Sequence, residues 1–182
     1  MVALAIDGTS GTVLLTDARG EPLTPALMYN DARAAQQLAR IRQVAPPDSP
    51  VNAPSAGLPK ICWLAKHVDR NRAAYIMHQA DWLACQFTRA PGHSDVNNCL
   101  KSGYDPLSHT WPAWLDALDL PRAWLPQVQP PGSPIAAIQP DAARQFGLPA
   151  HTLIISGTTD SHAAIVATGA QQVGEAVTSL GS

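Results

Sequence analysis

The first thirty positions alternate between short apolar runs and turn residues. Residues 2–6, VALAI, are closed by Asp7-Gly8-Thr9-Ser10-Gly11, and a second run, TVLLTD at 12–17, ends at Ala18-Arg19-Gly20. Two apolar runs joined by a glycine-bearing loop predict strand, loop, strand. ALMY at 26–29 makes a third short run after Pro25. From Asp31 the period lengthens: Ala34, Ala35, Leu38, Ala39 and Ile41 recur at helical spacing, with Asp31 placed to cap the helix. Residues 45–59 hold five prolines and read as a loop. Ile61, Leu64 and Ala65 predict a further helix, as do Ala80 to Phe87, and each carries a tryptophan (Trp63, Trp82) expected to pack inward.

Residues 88–110 are turn-rich, and 111–118 predict a short helix with proline in its first turn. Prolines at 121, 126, 130, 131, 134 and 140 mark an irregular connection before a helix over 142–146 that ends at Gly147. TLIIS at 152–156 is the strongest strand signal. Gly157-Thr158-Thr159-Asp160 then turns the chain into a small-residue helix, SHAAIVATGA, and EAVTSL at 175–180 predicts a last strand. Strands and helices mixed in this way indicate an α/β domain.

Composition supports a packed domain: 46% of the 182 residues are hydrophobic and 14% charged. The net charge is -2 and the 12 Lys and Arg are scattered, which argues against a nucleic-acid or anionic-membrane partner. Cys62, Cys85 and Cys99 form no CxxC pair and leave one thiol over in any disulfide scheme. With no signal-like start, they predict a cytoplasmic chain.

Three segments could carry chemistry. A strand, a glycine turn and an acid before a helix place the Asp160 carboxylate at the carboxyl end of a strand, where open α/β sheets bind ligands. The same residue could simply cap the following helix. Ser161 and His162 do not complete a triad with it, because consecutive residues cannot point at one another in a relay; His162 is expected on the helix surface or in packing. Gly8-Thr9-Ser10-Gly11 could cradle an anion or be a plain turn between strands. The six histidines show no metal-ligand spacing, and neither GxxxxGK[ST] nor GxGxxG occurs.

In their order, these segments resemble the FGGY carbohydrate kinases. Pro25-Ala26-Leu27-Met28-Tyr29-Asn30-Asp31-Ala32-Arg33 is similar to that family's P-A-I-x-W-x-D-x-R run. Lys60-Ile61-Cys62-Trp63-Leu64 resembles its Lys-x-x-Trp-Leu helix, QADWLACQFT a second family helix, and DVNNCLKSGYDP its D-x-S-N-A loop. LPQVQPPGSPIAAI, QFGLP, GTTDSHAAIVATGA and TSLGS complete the series. GTSG also looks like the family's opening phosphate loop, but Pro25 and the Asn30-Asp31-x-Arg33 run that follow belong to the sugar-facing motif.

The resemblance implies an α/β, ribonuclease H-like (actin-like ATPase) fold, with residues 1–174 a partial N-terminal sugar-binding domain lacking the first phosphate loop. Residues 175–182 would begin the ATP-binding domain, cut within its phosphate loop. It implies ATP with Mg2+ as cofactors and a small sugar as partner, leaving room for a homodimer of a full-length protein. Asp160 would be the catalytic base; Thr9, Ser10, Gly11 and Tyr29 would meet the sugar, and Gly181 and Ser182 the nucleotide. Xylulose kinases tend to carry Gln-Met-His where this chain has Thr9-Ser10-Gly11, and tryptophan at Tyr29. The GTSGTVLL wording looks most like a D-ribulose kinase-like subgroup, which implies a ketopentose substrate. The alternatives are a non-catalytic sugar-sensing domain and an α/β hydrolase, the latter disfavoured by the missing GxSxG elbow.

Overall fold

A computed structural model describes residues 2–178. The first apolar run forms β1 (Ala3–Leu4), and β2 (Asp7–Gly8) follows almost at once. After a tight loop comes β3 (Val13–Thr16), buried along its whole length. Its side chains divide by the two-residue period of a strand. Val13 and Leu15 enter the largest core cluster with Ile41, Leu58, Ile61, Leu64, Leu115 and Trp124, while Leu14 joins Met77 and Cys85 on the other face.

ALMY makes no strand; Leu27 forms an isolated bridge to Val13. The helical segment after it is a 3-10 turn, Ala35–Gln37, leading into α1 (Leu38–Arg42). Asp31 does not cap it. Its Oδ1 accepts instead from Arg33 N at 3.0 Å and Arg33 Nε at 2.9 Å, closing a local turn before the helix begins.

α2 (Gly57–Leu64) follows the proline-rich loop and is buried at every position except Trp63, which packs against the main core from its rim. The sequence reading missed β4 (Tyr75–His78), which pairs antiparallel with β3. α3 (Gln79–Thr88) starts from a capping box: Asp81 Oδ2 accepts from His78 N at 2.9 Å. Trp82 packs half-buried against the Leu14–Met77–Cys85 cluster. β5 (His93–Asp95) runs into α4 (Val96–Leu100), capped by Asp95, whose Oδ1 accepts from Asn97 N and Asn98 N. The segment expected as a short helix is a 3-10 helix, Ala113–Leu118, preceded by Pro112.

β6 (Gln127–Gln129) pairs parallel with β5. β7 (Pro134–Ala137) and α5 (Pro140–Phe146) follow, the helix closed by Gly147 at φ 64° as its sequence implied. β8 (Leu153–Ile155) is the middle strand of the main sheet, order β1-β8-β7, parallel to β1 and antiparallel to β7. Ile154 is fully buried there against Ala84 of α3 and Ala142 and Ala143 of α5. β9 (Thr158–Thr159) pairs parallel with β2, and α6 (Asp160–Ala167) starts directly after it. Thr159, not Asp160, is the N-cap of α6, which leaves the Asp160 carboxylate outside the capping position. Residues 175–178 are irregular rather than a strand; the rest of that expected strand and the Gly181-Ser182 assignment lie outside the described residues. No helix among the described residues is long and apolar enough to cross a membrane.

Candidate functional site

Two parallel ladders of two residues each build the site. β1 pairs with β8, then β2 with β9, so the same two chain segments run side by side twice. Between the ladders, Gly157 crosses Ile6 so closely that a Cβ there would overlap the Ile6 carbonyl oxygen. In the second ladder Gly8 faces Thr159. The next residues along the two segments are Thr9 and Asp160, and the register therefore sets the 9–11 loop beside the acid.

The two meet in a cleft of about 240 Å³ lined by Thr9, Ser10, Tyr29, Ser55, Lys101, Asp160 and Ser161. Four residues singled out from the sequence, scattered over 150 positions, thus share one polar cleft. Gly11 stands behind it. Its φ of +80° and the Ser55 carbonyl oxygen, 2.5 Å from where a Cβ would sit, leave room for glycine only.

Within the loop, hydroxyls are connected in one direction. Gln79 Oε1 can only accept, and it takes both Thr9 N at 2.9 Å and Thr9 Oγ1 at 2.8 Å. Thr9 Oγ1 must then accept from Thr12 Oγ1 at 2.6 Å, and Thr12 Oγ1 from Tyr29 N at 3.0 Å. The Thr9 hydroxyl is committed to holding the loop. Among the described residues, the Ser10 hydroxyl and the Lys101 ammonium make no hydrogen bond, which leaves both free for a ligand.

Asp160 is exposed, and its Oδ1 accepts from Ser161 N at 2.7 Å. His162 lies on the exposed face of α6 with Nδ1 2.8 Å from Thr159 Oγ1, a surface role and no relay to Asp160. Asn97 near the start of α4 donates from Nδ2 to Thr158 Oγ1 at 2.8 Å, and Lys101 is the C-cap of the same helix. One short helix thus pins β9 at one end and presents a cation to the cleft at the other. Burial pushes the Asp95 carboxyl that caps this helix above its ordinary range.

Sequence reasoning placed Lys60 in a helix motif but missed it as part of the site. Its side chain is fully buried, and its ammonium donates to the carbonyls of Gly11 at 3.0 Å, Tyr29 at 3.1 Å and Ser55 at 3.0 Å. Loss of water around the charge pushes its pKa down to about 8. Also missed was a buried Ser102–His78–Asp81 series. His78 Nδ1 donates to Asp81 Oδ2 at 2.7 Å, and Nε2 lies 2.8 Å from Ser102 Oγ. All three residues are buried, and Ser102 Oγ is packed 2.7 Å from where a Cβ on Gly57 would sit. No reactant reaches that hydroxyl, and the series is a packing element.

A larger hollow of about 380 Å³, between Ile6, Gly132 and the Val166 face of α6, is walled mainly by apolar groups and holds Asp7 as its one ionisable residue. It lacks the convergent polar groups that orient a substrate. Among the described residues no three His, Cys, Asp or Glu side chains gather as a metal site.

Residues 1–167 match the model of the N-terminal domain of the FGGY family of carbohydrate kinases. The chain is 26% identical over 188 residues to the xylulose kinase of Escherichia coli (strain K12), covering 99% of this chain and 38% of that protein. It is 30% identical over 185 residues to the L-fuculokinase of Salmonella typhi, covering 92% and 37%. The crystal structure of xylulose kinase from Rhodospirillum rubrum superposes with a TM-score of 0.82 at 23% identity, covering 94% of this chain and 37% of that one. The chain spans under two fifths of the length of these relatives.

Proposed function

The chain belongs to the FGGY family of carbohydrate kinases, and from that premise we propose that the protein carrying it phosphorylates a hydroxyl of a ketopentose, D-ribulose ahead of D-xylulose. The observation that supports this is the meeting of Ser10, Tyr29, Lys101 and Asp160 in one small polar cleft. Its size suits a small polyol better than a drug-sized ligand. Asp160 accepts the proton of the attacking hydroxyl. The phosphoryl transition state is loose, so the proton leaves late and an ordinary carboxylate suffices. The Ser10 hydroxyl and the Lys101 ammonium hold sugar oxygens, and the Gln79–Thr9–Thr12–Tyr29 chain keeps the loop in place.

Mg·ATP supplies the phosphoryl group and offsets its charge. Gly181 and Ser182, proposed to meet the phosphates, lie beyond the described residues, and residues 175–182 are proposed to lead into the nucleotide domain. The preference for D-ribulose rests on Ser10, whose small side chain and free hydroxyl line the cleft where a bulkier side chain would fill it.

The test is ADP release by the polypeptide as its gene encodes it, over D-ribulose, D-xylulose, L-fuculose, glycerol and gluconate. The expected result is the highest kcat/KM with D-ribulose. Preference for glycerol or a hexose acid would reject the ketopentose assignment. Saturable sugar binding with no ADP release would assign a non-catalytic sugar-binding module instead.

A further inference from the structure

One side of the cleft is built from three stretches distant in sequence: the loop at 9–11, the turn at Tyr29 and the proline-rich loop at Ser55. None belongs to a helix or strand; backbone pairing joins only the first two, through the Val13–Leu27 bridge, and does not reach Ser55. One side chain touches all three. An ammonium has three N–H donors, and those of Lys60 have the carbonyls of Gly11, Tyr29 and Ser55 at 3.0–3.1 Å, with Ala56 O more distant at 3.4 Å. Lys60 itself sits on α2, whose buried face anchors it in the main core.

We infer that Lys60 is a positioning residue for the sugar cleft: three donors matched to three carbonyls hold in register the loops that carry Ser10, Tyr29 and Ser55. This rests on reading the cleft as the sugar site. Lys60 does not touch the sugar, because its ammonium is fully enclosed behind Gly11.

The match of donors to acceptors makes the device sensitive to protonation. A neutral amine has two N–H donors and a lone pair, so one buried carbonyl would then face the lone pair unpaired. The charged groups facing the ammonium are Asp31, beyond Tyr29, which favours the charge, and Lys101, at the end of α4, which opposes it. With burial lowering its pKa to about 8, Lys60 loses its proton in the mildly alkaline range, and the loops loosen there.

Two measurements test this on the gene-encoded protein. The first is D-ribulose KM and kcat from pH 6.5 to 9.5 for wild type, Lys60→Met and Lys60→Arg. Wild-type KM should rise about tenfold through pH 8 to 9.5 while kcat stays within about threefold. Lys60→Met should show the raised KM at every pH, and Lys60→Arg, whose charge persists, should lose the alkaline rise. A Lys60→Met KM within about twofold of wild type, or the same alkaline rise in that variant, overturns the inference.

The second is hydrogen exchange, normalised for intrinsic rates, at residues 9–12, 28–30 and 55–58, which needs no turnover. Protection of all three segments should fall together between pH 7 and 9.5 in wild type, and should already be absent at pH 7 in Lys60→Met. Unchanged protection in wild type across that range overturns the inference, even if the Met variant fails to fold. Should no sugar be phosphorylated by wild type, the kinase reading fails, while exchange at the three segments still decides whether Lys60 holds them together.

Discussion

Gly157 passes the carbonyl of Ile6 with no space for a side chain between them, and this crossing lets one pair of segments form two successive parallel ladders. Substitution there is a backbone problem: the obstacle is the neighbouring main chain, which cannot turn aside as a side chain could. Gly157→Ala should destabilise by about 1–3 kcal/mol or more, read as a lower urea midpoint. Because the shift separates Thr9 from Asp160, kcat/KM should fall by more than the loss of folded protein explains. Wild-type stability in this variant would refute the crossing as described.

Asp160→Asn separates chemistry from folding. Asp160 is an exposed first residue of α6, and Thr159 occupies the capping position. The melting temperature should therefore stay within about 2 °C of wild type, since exposed substitutions are usually near neutral. Loss of a positioned base should lower kcat by about 10²–10⁴-fold, with sugar affinity retained. Near-normal turnover would reassign the residue to structure.

Ser10→Ala removes the hydroxyl left free in the cleft while Thr9 keeps the loop fastened. The expected change is about a tenfold drop in kcat/KM for D-ribulose, with a smaller drop for a sugar that does not use the contact. Equal losses across the sugar panel would indicate a general disturbance rather than recognition.

Gln79→Leu leaves the Thr9 amide and hydroxyl without their acceptor. Stability should fall by about 1–3 kcal/mol, the usual cost of stranding partly buried donors, and sugar KM should rise although Gln79 is absent from the cleft wall. Chemical denaturation and steady-state kinetics on one sample check both.

Proton linkage sets a second sign for Lys60. Its pKa is about 8 in the fold against an ordinary 10.5. Between these values the unfolded chain binds the extra proton, so this group makes stability increase as pH rises from 8 towards 10.5. Below pH 8 the penalty for burying the charge is fully present. Global stability and order in the cleft should move in opposite directions on the alkaline side, and Lys60→Met should remove the stability gain.

The sequence carried the large features for physical reasons. TLIIS read as a strand because Ile154 is buried between two helices, and the helix read over 142–146 is closed by Gly147, although its first residue, Pro140, reads as part of the irregular connection. The strands it hid are two to four residues long and partly polar, such as His93–Asp95, Gln127–Gln129 and Thr158–Thr159, which pairing partners define rather than periodicity. Asp31 and Asp160 both looked like helix caps; each sits one or more positions away from the cap, with its carboxylate turned to a local neighbour. Ser10, Tyr29 and Asp160 were legible as parts of an ordered motif series. Lys60 and Gln79 were not legible as site residues, because what distinguishes them is contact with a loop 49 and 70 positions away.

A hydroxyl, an imidazole and a carboxylate in series make a nucleophile only where a reactant can arrive. Sealed between Gly57 and the start of α3, Ser102, His78 and Asp81 have the distances of a hydrolase and none of the access. Their shared protons instead tie β4, the first turn of α3 and the chain just after α4 into one rigid joint. Such a joint should be inert: a fluorophosphonate probe should leave Ser102 unlabelled for as long as the protein stays folded.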